Sequence, residues 1–187
     1  MQRNYKFYAL YLQTQFYSMN RKIILSLFTG LIVLASCSKK VNSCGYSAST
    51  VIAPSSEQQA LHDSLTVHGI DATLDPAGFF YHITQAGSGP SATSLCSTVS
   101  VFYRGGFLNG SGFDSTSTGT PAVFQLGQVI AGWQKALPLV AKGGDITIYI
   151  PPSLAYGARP VKDTSGNVVI PANSNLVFRV LIADVQP

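Results

Sequence analysis

A chain of 187 residues is long enough for one ordinary domain with appendages and too short for two full ones. Its formal charge of +4 would suggest a nucleic-acid or membrane surface, but Arg3, Lys6, Arg21 and Lys22 supply the whole excess. Beyond Cys37 eight basic residues meet eight acidic ones, so the body is neutral and no nucleic-acid partner is expected.

In chain order, Asn20-Arg-Lys22 comes before Ile23 to Ala35, thirteen uncharged and mostly apolar residues, and then Ser36-Cys37. A spanning helix needs about 20 apolar residues, so this stretch reads as the apolar core of a secretory signal. Leu34-Ala35-Ser36-Cys37 resembles the lipobox of bacterial lipoproteins. That resemblance implies cleavage before Cys37 and lipidation of Cys37. It also implies an exported chain anchored through that lipid in a bacterial cell envelope, on its periplasmic or outer-membrane face. The plainer alternative is a signal peptide with an incidental cysteine. A signal opens with its charged region, whereas Met1 to Ser18 precede Met19, so the start is expected at Met19 and the signal region spans 1–36. With Cys37 assigned to lipid, Cys44 and Cys96 remain as an even pair in an oxidising setting. A disulfide tying the N-terminal arm to the domain and two free thiols both stay open, because sequence does not show how close their Cα atoms come.

Residues 37–56 are rich in Ser, Lys, Asn and Ala and poor in large apolar groups, which predicts a flexible tether. Glu57 to His68 predicts a short helix starting after Ser55-Ser56, with Leu61 and Leu65 on one face; residues 57–78 then form an accessory helix and linker.

From Phe79 the apolar pattern changes to period two, the mark of half-buried strands. Phe79, Tyr81 and Ile83 alternate with Phe80 and His82; Val99, Val101 and Tyr103 with Ser100 and Phe102; Ile146, Ile148 and Ile150 with Thr147 and Tyr149. The last run, Leu176 to Ala183, is apolar on both sides and so belongs in the middle of a sheet. One helical stretch interrupts the strands, Ile130 to Leu137, with Ile130, Trp133 and Leu137 on one face and Pro138 to end it. Strands before and after a single short helix predict an antiparallel α+β domain over 79–187.

Five segments concentrate the chemistry: Val101-Phe-Tyr-Arg-Gly105, Gly112-Phe-Asp-Ser-Thr116, Val129-Ile-Ala-Gly-Trp133, Ala155-Tyr-Gly157 and Leu176-Val-Phe178. They bring six aromatic rings and one carboxylate, Asp114, into a region otherwise poor in chemical groups, which predicts an apolar binding cup. With Phe124 before Leu126-Gly127, these pieces resemble the FKBP-type peptidyl-prolyl cis-trans isomerase family in order and spacing, over roughly residues 79–185. The resemblance implies an antiparallel sheet wrapped around one short helix, with the N-terminal helix and tether as an extension. It implies catalytic roles for Tyr103, Asp114, Trp133, Tyr156 and Phe178, with Trp133 as the floor and the Asp114 carboxylate and Tyr156 hydroxyl at the rim. Substrate contacts would come from Phe113, Phe124, Val129 and Ile130, whose backbone N–H would donate to a substrate carbonyl, with Ile170 closing one side. Pro-containing polypeptides are the implied substrates, macrolides the implied inhibitors, and a monomer without cofactor or metal the implied form.

Each residue also has a plainer reading. Trp133 alone would be core, and Asp114 could cap the turn that follows it. Phe102, Phe107 and Tyr149 read as packing. Ala122 stands where many members of the family place an aromatic, which thins one wall, and the loop from Arg159 to Val169 is longer than in the smallest members. Gly87-Ser-Gly-Pro-Ser-Ala92 fits a dinucleotide pattern formally, but Pro90 does not open a helix there, and His62, His68 and His82 lack the spacing of metal ligands. Three functions follow: an isomerase of exported proteins, a binding module with little turnover, or an envelope lipoprotein whose domain has lost the cup.

Overall fold

The structure is a computed structural model and describes residues 44–187. The signal region, the Met19 start, Cys37 and the first residues of the tether lie outside the described residues.

Seven strands form one antiparallel sheet: β1 (Thr73–Leu74), β2 (Phe80–Gln85), β3 (Thr98–Gly106), β4 (Gly112–Ser115), β5 (Ala122–Gln125), β6 (Asp145–Ile150) and β9 (Leu176–Gln186). Their order is β1-β2-β6-β9-β3-β4, with β5 also paired to β3. The doubly apolar strand β9 is central, as its sequence predicts. Strand β3 is shared along its length: Thr98 to Val101 pair with β5, and Arg104 to Gly106 with β4. This division places the residues around Tyr103 at a fork between two short strands.

The period-two residues meet on one face. Phe79, Val99, Val101, Ile146, Ile148, Ile150 and Val180 are fully buried there, each burial contributing about 1.5–3 kcal/mol before chain entropy is counted. Helix α2 (Ala131–Ala136) lies on this face, and Gly132 lets it come close: a Cβ there would sit 2.7 Å from the Ile150 side chain. The helix stops one residue before the predicted end, and Pro138 sits in a 3-10 turn, Leu137–Leu139, that continues it.

The opposite face is covered by helix α1 (Ser55–Val67), whose Leu61 and Leu65 pack on Phe80 and Tyr149. The helix starts two residues earlier than predicted, after Pro54. Glu57 in its first turn accepts the Ser153 N–H at 3.0 Å, and Gln58 Nε2 donates to the Ala53 carbonyl at 2.7 Å.

From Cys44 onward, the stretch whose composition predicts a flexible tether lies along the domain. Cys44 and Cys96 form a disulfide with a Cα separation of 5.6 Å. Ser49 O accepts from Lys135 Nζ at 2.8 Å, and Ala53, nearly fully buried, donates its N–H to Ala77 O at 2.9 Å. These fixings use backbone atoms and one covalent bond, which composition does not reveal. The long loop likewise holds a small hairpin, β7 (Val161–Lys162) and β8 (Val168–Ile170). Asp163 closes it by accepting the Ser165 and Asn167 N–H groups, and the Asn167 bonds hold its carboxyl below the usual range.

Candidate active site

Where β3 divides, Tyr103 projects toward α2. Two residues on, Gly105 stands opposite Asp114 on β4 and Phe178 on β9. A Cβ at Gly105 would come within 2.6 Å of Phe178 Cε1 and 2.8 Å of Phe113 Cε2, so the missing side chain is what lets these rings meet. They pack edge to face at 5.6 Å, and Phe107 backs Phe113 at 5.3 Å.

Trp133 forms the floor. Its indole is nearly fully buried and takes three rings edge-on: Phe178 at 5.2 Å, Tyr103 at 5.4 Å and Phe124 at 5.9 Å. Such T-shaped pairs contribute about 0.5–1.5 kcal/mol each beyond their burial, so the floor is held by mutual packing. Val129 and Ile130 form a further wall between the 3-10 turn Leu126–Gln128 and α2, and Tyr156 stands at the mouth. Together these residues enclose an open cavity of about 280 Å³.

The cup's polar groups are few. Tyr103 Oη donates to Asp114 Oδ2 at 2.5 Å. Burial, then that bond and the charge of Asp114, raise the Tyr103 pKa far above the usual tyrosine value. Burial and then the same carboxylate also raise Tyr156, although 40% of its surface is open. Both hydroxyls are therefore neutral donors across the physiological range. Asp114 takes the Tyr103 hydroxyl and not a backbone N–H of the following turn, which sets aside the capping reading. Among the described residues no acceptor takes the Ile130 N–H, which sits at the start of α2 beside the cavity.

The structure thus brings together every residue proposed from sequence except Ile170. That side chain is turned inward from β8 into the core and is not among those lining the cavity, while its neighbours Val168 and Val169 are exposed. Ala122 pairs with Val101 at the start of β5, two residues before Phe124, and leaves that wall low. Two glutamines escaped sequence reading. Gln128 lines the mouth, and Gln134 Nε2 donates to Val129 O at 2.9 Å, pinning the wall from behind. Neither stands out from sequence, since a surface glutamine carries no chemical signal.

The arrangement is an open, largely aromatic recess with neutral hydroxyls and a fixed carboxylate. It suits an apolar ring flanked by amide carbonyls. Residues 89–183 match the family described as FKBP-type peptidyl-prolyl cis-trans isomerase. The chain belongs to that family. FkpA of Escherichia coli (strain K12) is 42% identical over 111 residues, which are 59% of this chain and 38% of that protein. The FkpA crystal structure matches with a TM-score of 0.55 at 34% identity, covering 71% of this chain and 63% of that one. The outer membrane protein MIP of Legionella longbeachae is 39% identical over 112 residues, 59% of this chain and 46% of its own length. The chain spans about half the length or less of these curated relatives. The FKBP match opens after β2, so α1, β1, β2 and the arm lie outside it.

Proposed function

We propose that this FKBP-family protein is a peptidyl-prolyl cis-trans isomerase that assists the folding of exported proteins. The observation that carries the proposal is the cup itself: Trp133 walled by Tyr103, Phe113, Phe124 and Phe178, with the Asp114 carboxylate fixed at its edge. Rotation about an X-Pro bond passes through a twisted amide over a barrier of about 20 kcal/mol. The planar amide is the more dipolar form, so a recess without water disfavours it relative to the twisted one. The prolyl ring would sit on Trp133, with the Ile130 N–H and the Tyr156 hydroxyl holding the flanking carbonyls while the bond turns. Lowering the barrier by about 6 kcal/mol accelerates rotation by roughly four decades without acid or base chemistry.

The same reading includes a monomer anchored in a bacterial cell envelope by a lipid on Cys37. The apolar segment ending in Leu34-Ala35-Ser36-Cys37 and the similarity to an outer membrane protein support it. The disulfide sharpens this picture. Seven residue steps separate Cys37 from Cys44, a reach of at most about 25 Å, which would keep the cup close to the membrane surface.

The test is a protease-coupled cis-trans assay on Xaa-Pro peptides, using the whole protein in detergent. Acceleration that falls in Asp114→Ala and Tyr156→Phe, and that a macrolide competes away, is the expected result. No acceleration from a folded protein that still binds the peptide would replace the isomerase by a binding module, a role the low wall at Ala122 would suit.

A further inference from the structure

The arm meets the domain at one particular place. Gly127 precedes the wall residues Gln128, Val129 and Ile130, and its bare Cα face lies under the Tyr46 ring, where any Cβ would collide. The other sides of this glycine are also held. Its N–H donates to Leu95 O at 2.8 Å and the next one back, Leu126 N–H, to Ser97 O at 2.9 Å. Leu95 and Ser97 flank Cys96 in a tight turn closed by Ser97 N–H to Ser94 O at 2.9 Å, and Ser97 is completely buried. The Cys44–Cys96 bond therefore joins the arm that carries Tyr46 to the turn that grips the wall's backbone. Lys135, on the helix that bears Trp133, adds a third tie through Ser49 O.

We infer that the arm is part of the binding machinery: Tyr46, seated on Gly127 and fastened by the Cys44–Cys96 bond, positions the Gln128–Ile130 wall for the peptide. Tyr46 is a positioning residue, since it acts through Gly127. The inference rests on the peptide-binding role proposed above for the cup. It also goes further, because the arm lies outside the FKBP match and none of its residues lines the cavity. Tyr103, Asp114 and Phe178 are held by the sheet and do not depend on the arm. Loosening the arm should therefore weaken ground-state capture more than it slows the bound bond's rotation, a KM effect and not a kcat effect.

The chain's single tryptophan is Trp133, so its fluorescence reports the cup directly. A tryptophan-free proline tetrapeptide titrated against the whole protein in detergent gives affinity whether or not turnover occurs; a wild type without turnover would sink the isomerase reading and leave this one readable. Tyr46→Ala should weaken binding and raise KM by about 3–10-fold with kcat kept, and Tyr46→Phe should restore both. A dithiol reductant, which takes the disulfide to two thiols while closing to its own disulfide, should do the same reversibly. Leu61→Ala, which loosens α1 on the far face, should leave affinity unchanged at temperatures where the protein stays folded. Unaltered affinity and Trp133 emission in folded Tyr46→Ala would overturn the inference, as would a loss that Leu61→Ala reproduces. If the reduced protein unfolds, Tyr46→Ala with its disulfide intact decides alone.

Discussion

On one face of the sheet Phe80 and Tyr149 lie beneath Leu61 and Leu65 of α1; on the other, Tyr103, Phe113, Phe124 and Phe178 surround Trp133, with no helix or loop among the described residues laid over the mouth. Both clusters are aromatic-rich and both are built on one sheet, the first on β2 and β6, the second on β3, β4, β5 and β9 with Trp133 from α2. The first is closed by aliphatic side chains and is packing. The second stops short of closure, and Asp114 and the Tyr156 hydroxyl stand at its open edge. What separates a site from a core here is the missing cover together with a polar group fixed at the margin.

The sharpest way to break that comparison is to cut one residue from each side. Phe178→Ala removes a ring that touches Trp133, Tyr103 and Phe113, and should cost about 3–5 kcal/mol of stability together with peptide binding. Leu61→Ala should cost about 2–5 kcal/mol and leave binding intact in the folded fraction. Denaturant melts paired with peptide titrations check both, and equal losses of affinity would show that the two faces are not independent.

The separation of faces was legible in the sequence because period two is a local property: Ile146, Ile148 and Ile150 declare one face by themselves, and the doubly apolar run after Leu176 declares the centre. The rings of the cup were legible through short contiguous segments whose order resembles a known family. The remainder depends on contacts between residues far apart in the chain. Tyr46 on Gly127, Ser49 on Lys135 and Glu57 on Ser153 join an arm of bland composition and the first turn of α1 to segments some 80 to 100 residues away, and nothing local marks them. Ile170 misled for the opposite reason. Family position suggested a wall, but the β7–β8 hairpin formed inside the long loop turns that side chain to the core.

A smaller effect tests the polar margin. Tyr103→Phe keeps the ring and removes the donor to Asp114; a hydrogen bond to a half-exposed carboxylate is worth about 1 kcal/mol, so kcat/KM should fall about fivefold with little loss of stability. The same hydroxyl shapes the alkaline limb. The folded-state pKa values of Tyr103, Tyr149 and Tyr156 lie above the unfolded value of about 10, so their contribution is fully present below that pH. Above it the unfolded chain releases protons that the folded chain retains, and stability falls as pH rises. Melting temperature should hold from pH 7 to about 9.5 and drop beyond, less steeply in Tyr103→Phe. A drop of unchanged steepness would mean that neither the burial of Tyr103 nor its bond to Asp114 raises its pKa in solution.

The smallest expected effect lies on the sheet's outer face, where Arg179 on β9 reaches Asp145 on β6 with two hydrogen bonds, at 2.7 and 3.2 Å. The pair is geometrically the best in the described chain, yet the arginine side chain is 68% exposed, and water screens most of its attraction. Asp145→Asn should cost no more than about 1 kcal/mol, shrinking further in high salt, and should leave peptide affinity and kcat untouched. Arg179 alternates with Phe178 along one strand, so this substitution works one residue away from the cup's wall but on the other side of the sheet. A change in affinity would show that strain passes through β9 from one face to the other. An unchanged one would locate the cup's demands in what touches it: the rings, the Tyr103–Asp114 bond and the arm behind Gly127.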